Sequence, residues 1–135
     1  MSDSTVELRT LLHLPVESAL QQVRAALHAE GFIIVADVDV QALLRQQLAT
    51  QFYPYWLLGV CDGDLMYRML EVDPRLGLYL PHTVVVHDTG EGIEVHIQDP
   101  GIVLTPAAPP ELVAAVEAAR ARFGRVIAAL GAVPT

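Results

Sequence analysis

The chain reads as an α+β domain, a mainly antiparallel sheet with helices packed on one face. Three observations predict this. Strand-like and helix-like segments alternate in the order β-α-β-α-β-α-β-β-α. Two consecutive strand segments are joined by Asp88-Thr89-Gly90-Glu91-Gly92, a glycine-bearing hairpin loop. The strand after that loop alternates apolar and polar residues, the pattern of a strand with one buried and one open face. A doubly wound α/β sheet is the alternative. Against it, buried parallel strands are continuous apolar runs, and the final strands are not.

Each element has its own signal. Thr5 to Leu14 opens with Val6, Leu8 and Leu12 separated by Glu7 and Arg9, a period of two that predicts a half-buried strand. Pro15 has the fixed φ of a first helical turn. Val16, Ala19, Leu20, Val23, Ala26 and Leu27 then recur at helical spacing, opposite Glu17, Gln21, Gln22, Arg24 and His28, and Gly31 stops the helix. Phe32 to Ala36 predicts a central strand. Asp37 or Asp39 caps a second helix over Val40 to Thr50, with Val40, Leu43, Leu44 and Leu48 turned inward.

After the Tyr53-Pro54 interruption, Tyr55 to Cys61 predicts a third, largely buried strand. Asp62 caps a short third helix with Asp64 in its first turn and Leu65, Met66, Met69 and Leu70 on its apolar face. Asp73-Pro74 ends it. Leu76 to Asp88 is extended and bent at Pro81. Ile93, Val95 and Ile97 face one way, and Glu94, His96 and Gln98 the other. Asp99-Pro100-Gly101 turns the chain. A last helix follows Pro109-Pro110, from Glu111 to Leu130, and stops at Gly131. Residues 1–135 form one domain, with its core between about 5 and 130.

Composition excludes several function classes. The 135 residues carry 8 Lys+Arg against 16 Asp+Glu, a formal net charge of −8. All the basic residues are arginine. Without lysine there is no Schiff-base chemistry and no P-loop. The acidic balance lacks the basic footprint that nucleic acid requires. An apolar content of 53% is too high for disorder. Leu112 to Leu130 contains Glu117, Arg120, Arg122 and Arg125, so it is not a membrane span. Met1 to Ser4 has neither the basic nor the apolar region of a secretory signal. Cys61, the single cysteine, has no internal disulfide partner, and a cytoplasmic location is expected.

Several short motifs then occur in a familiar order. They are Gly31-Phe32, Gly59-Val60-Cys61, Asp73-Pro74, Gly77-Leu78, Leu80-Pro81, Val84-Val85-Val86 and Asp99-Pro100. Together they resemble the bacterial family catalogued as domain of unknown function 302, over about residues 5 to 130. The resemblance implies a small α+β domain of the TATA-binding-protein-like type and brings no established reaction. Two departures stand out. The family pattern has Cys-Asn-Pro where this chain has Cys61-Asp62-Gly63, and Leu-Pro-Cys where this chain has Leu80-Pro81-His82. A paired-thiol role therefore cannot operate unchanged, whereas shared metal or haem ligation by Cys and His remains chemically available.

Cys61 is the candidate catalytic residue. At a strand–helix junction it is placed as a nucleophile, a sulfur carrier or a ligand. The plainer reading is a small buried hydrophobe. His82 is its candidate partner if the third and fourth strands lie side by side, and the pair is also the candidate metal site. Two ligands alone do not make a zinc site, and a hydrogen-bonded structural histidine is the plainer reading of His82. Tyr55, Trp56, Met66, Tyr67 and Met69 are candidates to line an apolar ligand pocket near Cys61; plain core packing is the alternative. Asp62 and Asp64 flank Gly63 without the rest of a calcium loop.

His87 and His96 lie on the two arms of the hairpin, and His96 shares its face with Glu94. A metal comes to mind, and a solvated polar face is the plainer reading. On the last helix, Leu112, Val116, Ala119, Phe123, Val126 and Leu130 form a stripe for its own sheet; this helix, or the sheet edge, is the candidate homodimer contact. Arg120, Arg122 and Arg125 are a basic cluster suited to pairing with acidic groups across such an interface.

Three functions compete. The first is a small binding or sensing module that holds an apolar ligand, a metal or haem near Cys61 and His82. The second is a thiol-dependent sulfur-transfer or redox protein using Cys61. The third is a homo-oligomeric structural protein. The first is preferred, with a homodimer as the expected assembly. No ligand or cofactor is identified, and catalysis is left open, with a non-enzymatic role preferred.

Overall fold

The computed structural model describes residues 8–132. Thr5 to Glu7, expected at the start of the first strand, lie outside the described residues. In chain order the elements are β1 (Arg9–Leu12), α1 (Val16–Ala29), β2 (Ile33–Asp39), α2 (Val40–Leu48), β3 (Tyr55–Cys61), α3 (Gly63–Val72), β4 (His82–Asp88), β5 (Ile93–Ile97) and α4 (Pro110–Ala132). Short 3-10 turns occupy Pro74–Tyr79 and Pro100–Val103. The strands form one five-stranded sheet in the order β1-β5-β4-β3-β2. Every neighbouring pair is antiparallel, which excludes the doubly wound alternative.

The alternation of β4 and β5 decides where the core lies. Val84, Val86, Ile93, Val95 and Ile97 are buried on one face, joined by Leu58 and Val60 of β3. Helices α1 and α4 close over that face with Ala19, Leu20, Val23, Leu27, Phe123, Val126 and Leu130. A second, smaller core joins Leu65 and Met69 of α3 to Val103, Leu112, Val116 and Ala119. The whole apolar stripe of α4 is thus consumed inside the chain, divided between the two cores. Its arginines are consumed as well. Arg120 pairs with Asp99 and Glu117, Arg122 with Asp62, and Arg125 with Glu30. The apolar stripe and the basic cluster of this helix thus both have partners inside the chain.

Three further expectations change. The strand expected to be central, β2, is an edge strand, with Ile33 and Val35 more than half exposed at 55% and 54%. An apolar run reports low polarity, not the number of neighbouring strands. Helix α2 forms as expected, with Asp39 Oδ1 accepting from Ala42 N at 3.0 Å, but none of its residues is buried. Its apolar periodicity is real, and among the described residues the helix rests on β2 and β3 with Leu43 and Leu48 left exposed. Finally, the start of the extended segment is a 3-10 turn. Pro74 supplies the helical φ there, and Asp73 Oδ1 accepts from Arg75 N at 2.9 Å.

One side chain ties these pieces together. Arg122 of α4 donates through Nε and Nη2 to Glu30 O, at 2.9 and 2.5 Å, where α1 ends. Its Nη1 donates to Asp62, the N-cap of α3. Its guanidinium lies 4.2 Å over the Phe32 ring, which stacks on Phe123 at 4.2 Å. Gly31 makes room: it holds φ +88, and a Cβ there would meet Arg122 Nη2 at 2.8 Å. Replacing Arg122 by Ala leaves Asp62 and the Glu30 carbonyl without their donor, and a loss of about 2–4 kcal/mol is expected in urea unfolding. Arg122→Lys is expected to recover less than half of it, because one ammonium cannot reproduce the fork and the ring stacking. Full recovery by lysine would show that charge alone matters.

Candidate functional site

The two residues expected to share a pocket point away from each other. Val60, not Cys61, lies opposite His82 in the β3–β4 ladder. Strand alternation turns His82 to the helix-covered face with Val60, and Cys61 to the other face with Gly59. On that other face Pro81 packs over Gly59, where a Cβ would meet Pro81 Cγ at 2.6 Å and Ala36 Cβ at 3.1 Å. The Cys61–His82 pair, whether for thiol activation or for a metal, is therefore corrected.

Each residue has a structural role. His82 is 2% exposed and meets Phe123 edge-on with ring centroids 5.5 Å apart. Its Nε2 has no partner. Burial pushes its pKa down, against the opposing pull of the Asp62 charge, so the ring is held neutral. Burial, then the neighbouring Asp62 charge, pushes the Cys61 thiol up, the opposite of what a nucleophile needs. Burial also raises Asp62, but the Arg122 hydrogen bond and the Asp64 backbone N–H outweigh it and hold the carboxyl below its usual range. The other expected pocket residues scatter. Trp56 faces the core, opposite Val86. Tyr55 lies on the other face, and Met66 is half-buried on α3. Five surface cavities are lined by other residues.

The open face of the sheet assembles a different group. The hairpin register places His87 of β4 directly opposite Glu94 of β5. His96 is two residues further along β5, so it shares the face of Glu94. Across the next strand, Arg9 of β1 lies opposite His96. Glu94 Oε1 is 3.1 Å from His87 Nε2 and 2.9 Å from His96 Nε2. Its second oxygen accepts from Arg9 Nη2 at 2.7 Å. The Arg9 contact, then the His96 contact, push the Glu94 carboxyl down to about 2. One ligand atom from each of His87, Glu94 and His96 lies within 4.8 Å of the others. A tetrahedral ion about 2.1 Å from each ligand needs separations near 3.4 Å, and the two Glu94 contacts, at 2.9 and 3.1 Å, lie within about half an ångström of that. Nδ1 of His87 is buried and has no partner.

Aromatic rings flank the group. Tyr55 and Tyr53 lie 5.3 and 6.1 Å from the His87 ring, and Tyr53 stacks on Phe52 at 4.0 Å. His87 and His96 are near-parallel, 6.2 Å apart. A surface cavity of about 580 Å³ adjoins them, lined by Tyr53, His87, Asp88, Thr89 and Gly90. The sequence carries the needed signal, a His and a Glu-x-His on either side of a short glycine-bearing loop. It becomes decisive only once the register sets Asp88 opposite Ile93.

These features define a small α+β domain with one helix-covered and one open sheet face and a His–Glu–His group on the open one. The chain belongs to the family of the domain of unknown function DUF302, whose model matches residues 8–130. It is similar to the crystal structure of an uncharacterized conserved protein DUF302 from Bacillus stearothermophilus. The TM-score is 0.78 and the identity 18%, over 90% of this chain and 94% of that one. That likeness establishes the fold. No curated protein matches the chain. Among the described residues, no helix is long and apolar enough to cross a membrane.

The neutral, buried His82 generates a pH prediction. Unfolded, the ring takes a proton near pH 6.5; folded, it resists doing so. Its folded pKa is depressed, so the unfolded state binds more protons below about 6.5, and stability is lost as pH falls through that value. The urea midpoint is expected to drop between about pH 7.5 and 5.5, and His82→Leu to flatten the drop. An unchanged slope in that variant would place the dependence elsewhere.

Proposed function

We propose that the protein is a small binding module for a divalent transition metal, held by His87, Glu94 and His96 on the open face of the sheet. The observation that carries this is the convergence of two imidazole nitrogens on one carboxylate oxygen. Two histidines and one carboxylate are a donor set for zinc or ferrous iron. Arg9, on the other oxygen of Glu94, would orient the carboxylate from behind, as outer-shell partners of metal ligands do. The binding-module reading is thus retained, with its site moved from Cys61 and His82 to the hairpin. A cytoplasmic location is consistent with the lone, unpaired Cys61.

The test is a titration of tag-free protein with Co²⁺, followed by visible absorption, and with Zn²⁺ by calorimetry. One equivalent is expected to bind. His87→Ala and His96→Ala are each expected to weaken binding at least about tenfold. Loss of binding in neither variant, or no uptake by the parent protein, would end the proposal.

A homodimer is the second part of the reading, and the edge strand supports it. β2 offers seven residues with an unpaired backbone edge and exposed Ile33, Val35 and Val38. Antiparallel pairing of β2 with its own copy is self-complementary and closes as a two-fold dimer. Light scattering is expected to give twice the chain mass for the parent and the monomer mass for Val35→Lys. A monomeric parent at high concentration would remove the dimer.

A further inference from the structure

We propose that the cavity beside His87 takes an aromatic ring bearing vicinal hydroxyls, a catechol-type ligand whose oxygens complete the shell of the bound metal. This rests on the metal reading above and adds a ligand class to it. Three protein donors would leave coordination positions free for a ligand's oxygens. The adjoining space, about 580 Å³, is the size of a small-molecule site. One wall is His87 itself, so a molecule in the cavity touches the metal's own ligand.

The rest of the lining sets the ligand class. Tyr53 lines the cavity and is 45% exposed. Its ring is braced from behind by Phe52 at 4.0 Å and flanked by Tyr55 at 6.1 Å. A braced, exposed ring face is a stacking surface for another ring. The ligand must also supply donors to a metal, and oxygen donors suit zinc and iron. Hydrogen bonding selects between the aromatic chelators. Asp88 lines the same cavity, with one oxygen accepting from Gly90 N at 2.8 Å. That carboxylate can accept from a phenolic hydroxyl that keeps its proton, which an aromatic carboxylate does not have. On coordination the catechol hydroxyl proton passes to solvent, and no electron is transferred.

The experiment uses the Zn²⁺-loaded protein and 4-nitrocatechol, whose absorption shifts when its hydroxyls coordinate. Zinc content is measured on every sample before titration. A saturable shift at one equivalent is expected, at least tenfold stronger than any shift with metal-free protein, with benzoate failing to compete. Tyr53→Ala, loaded with zinc, is expected to bind at least tenfold more weakly, and Tyr53→Phe to match the parent. Zinc-loaded protein that ignores 4-nitrocatechol, or binds it equally well as Tyr53→Ala, overturns the ligand assignment and leaves the metal site standing. Zinc stripped from the protein into the filtrate by 4-nitrocatechol also overturns it. Failure of the parent to hold zinc overturns both readings at once.

Discussion

The stacked column of Arg122, Phe32 and Phe123 is the constraint on which the fold depends. The guanidinium sits on one ring, that ring sits on the next, and the second ring meets His82 edge-on. Through its polar edge the same guanidinium holds the end of α1 at Glu30 and the start of α3 at Asp62. The end of α1, the start of α3 and the core face of β4 are thereby tied to α4 through this column. A planar, permanently charged group suits this place, because it satisfies carbonyl and carboxylate at its edge while packing through its face. It also accounts for His82. With Phe123 against it and the covered face closed, that ring has a packing role and no access to a ligand.

The helix layer has a second consequence. Since α1 and α4 occupy one face, alternation delivers every second residue of β4 and β5 to the other. On the covered face those residues are mostly valine and isoleucine, with His82 among them. On the open face they include His87, Glu94 and His96, with Arg9 next to them on β1. The charge on Glu94 is balanced by its neighbours rather than by burial. The group is therefore both charged and reachable, as a cation site must be. The aromatic residues of the segment leading into β3 lie against it because Tyr55 stands directly opposite His87.

Much of this was legible from local pattern. The order of the elements, the ends of β3, the cap of α3 and the alternation of β5 follow from rules spanning a few residues. So does the opposition of His82 and His87 on β4, which needs only a period of two. The shared pocket for Cys61 and His82 failed on a different kind of fact. β3 and β4 do lie side by side, as the pair requires, but a shift of one residue in the pairing moves a side chain to the other face. Val60 opposes His82, and Cys61 is left behind with Gly59. The edge position of β2 and the open surroundings of α2 were likewise invisible, because apolar periodicity records a preference without naming what satisfies it.

The sequence by itself determined the fold class, the sidedness of the final strands and the acidic, lysine-free surface. Each of these is a matter of composition or of contacts within one element. Tertiary structure alone decided which histidines meet, which strand lies at the edge and where the arginines of α4 go. Those outcomes depend on register and on the seating of distant segments. Glu30 and Arg122, or Arg9 and Glu94, are separated by more than eighty residues, and only the completed sheet and its helix layer bring such pairs within reach.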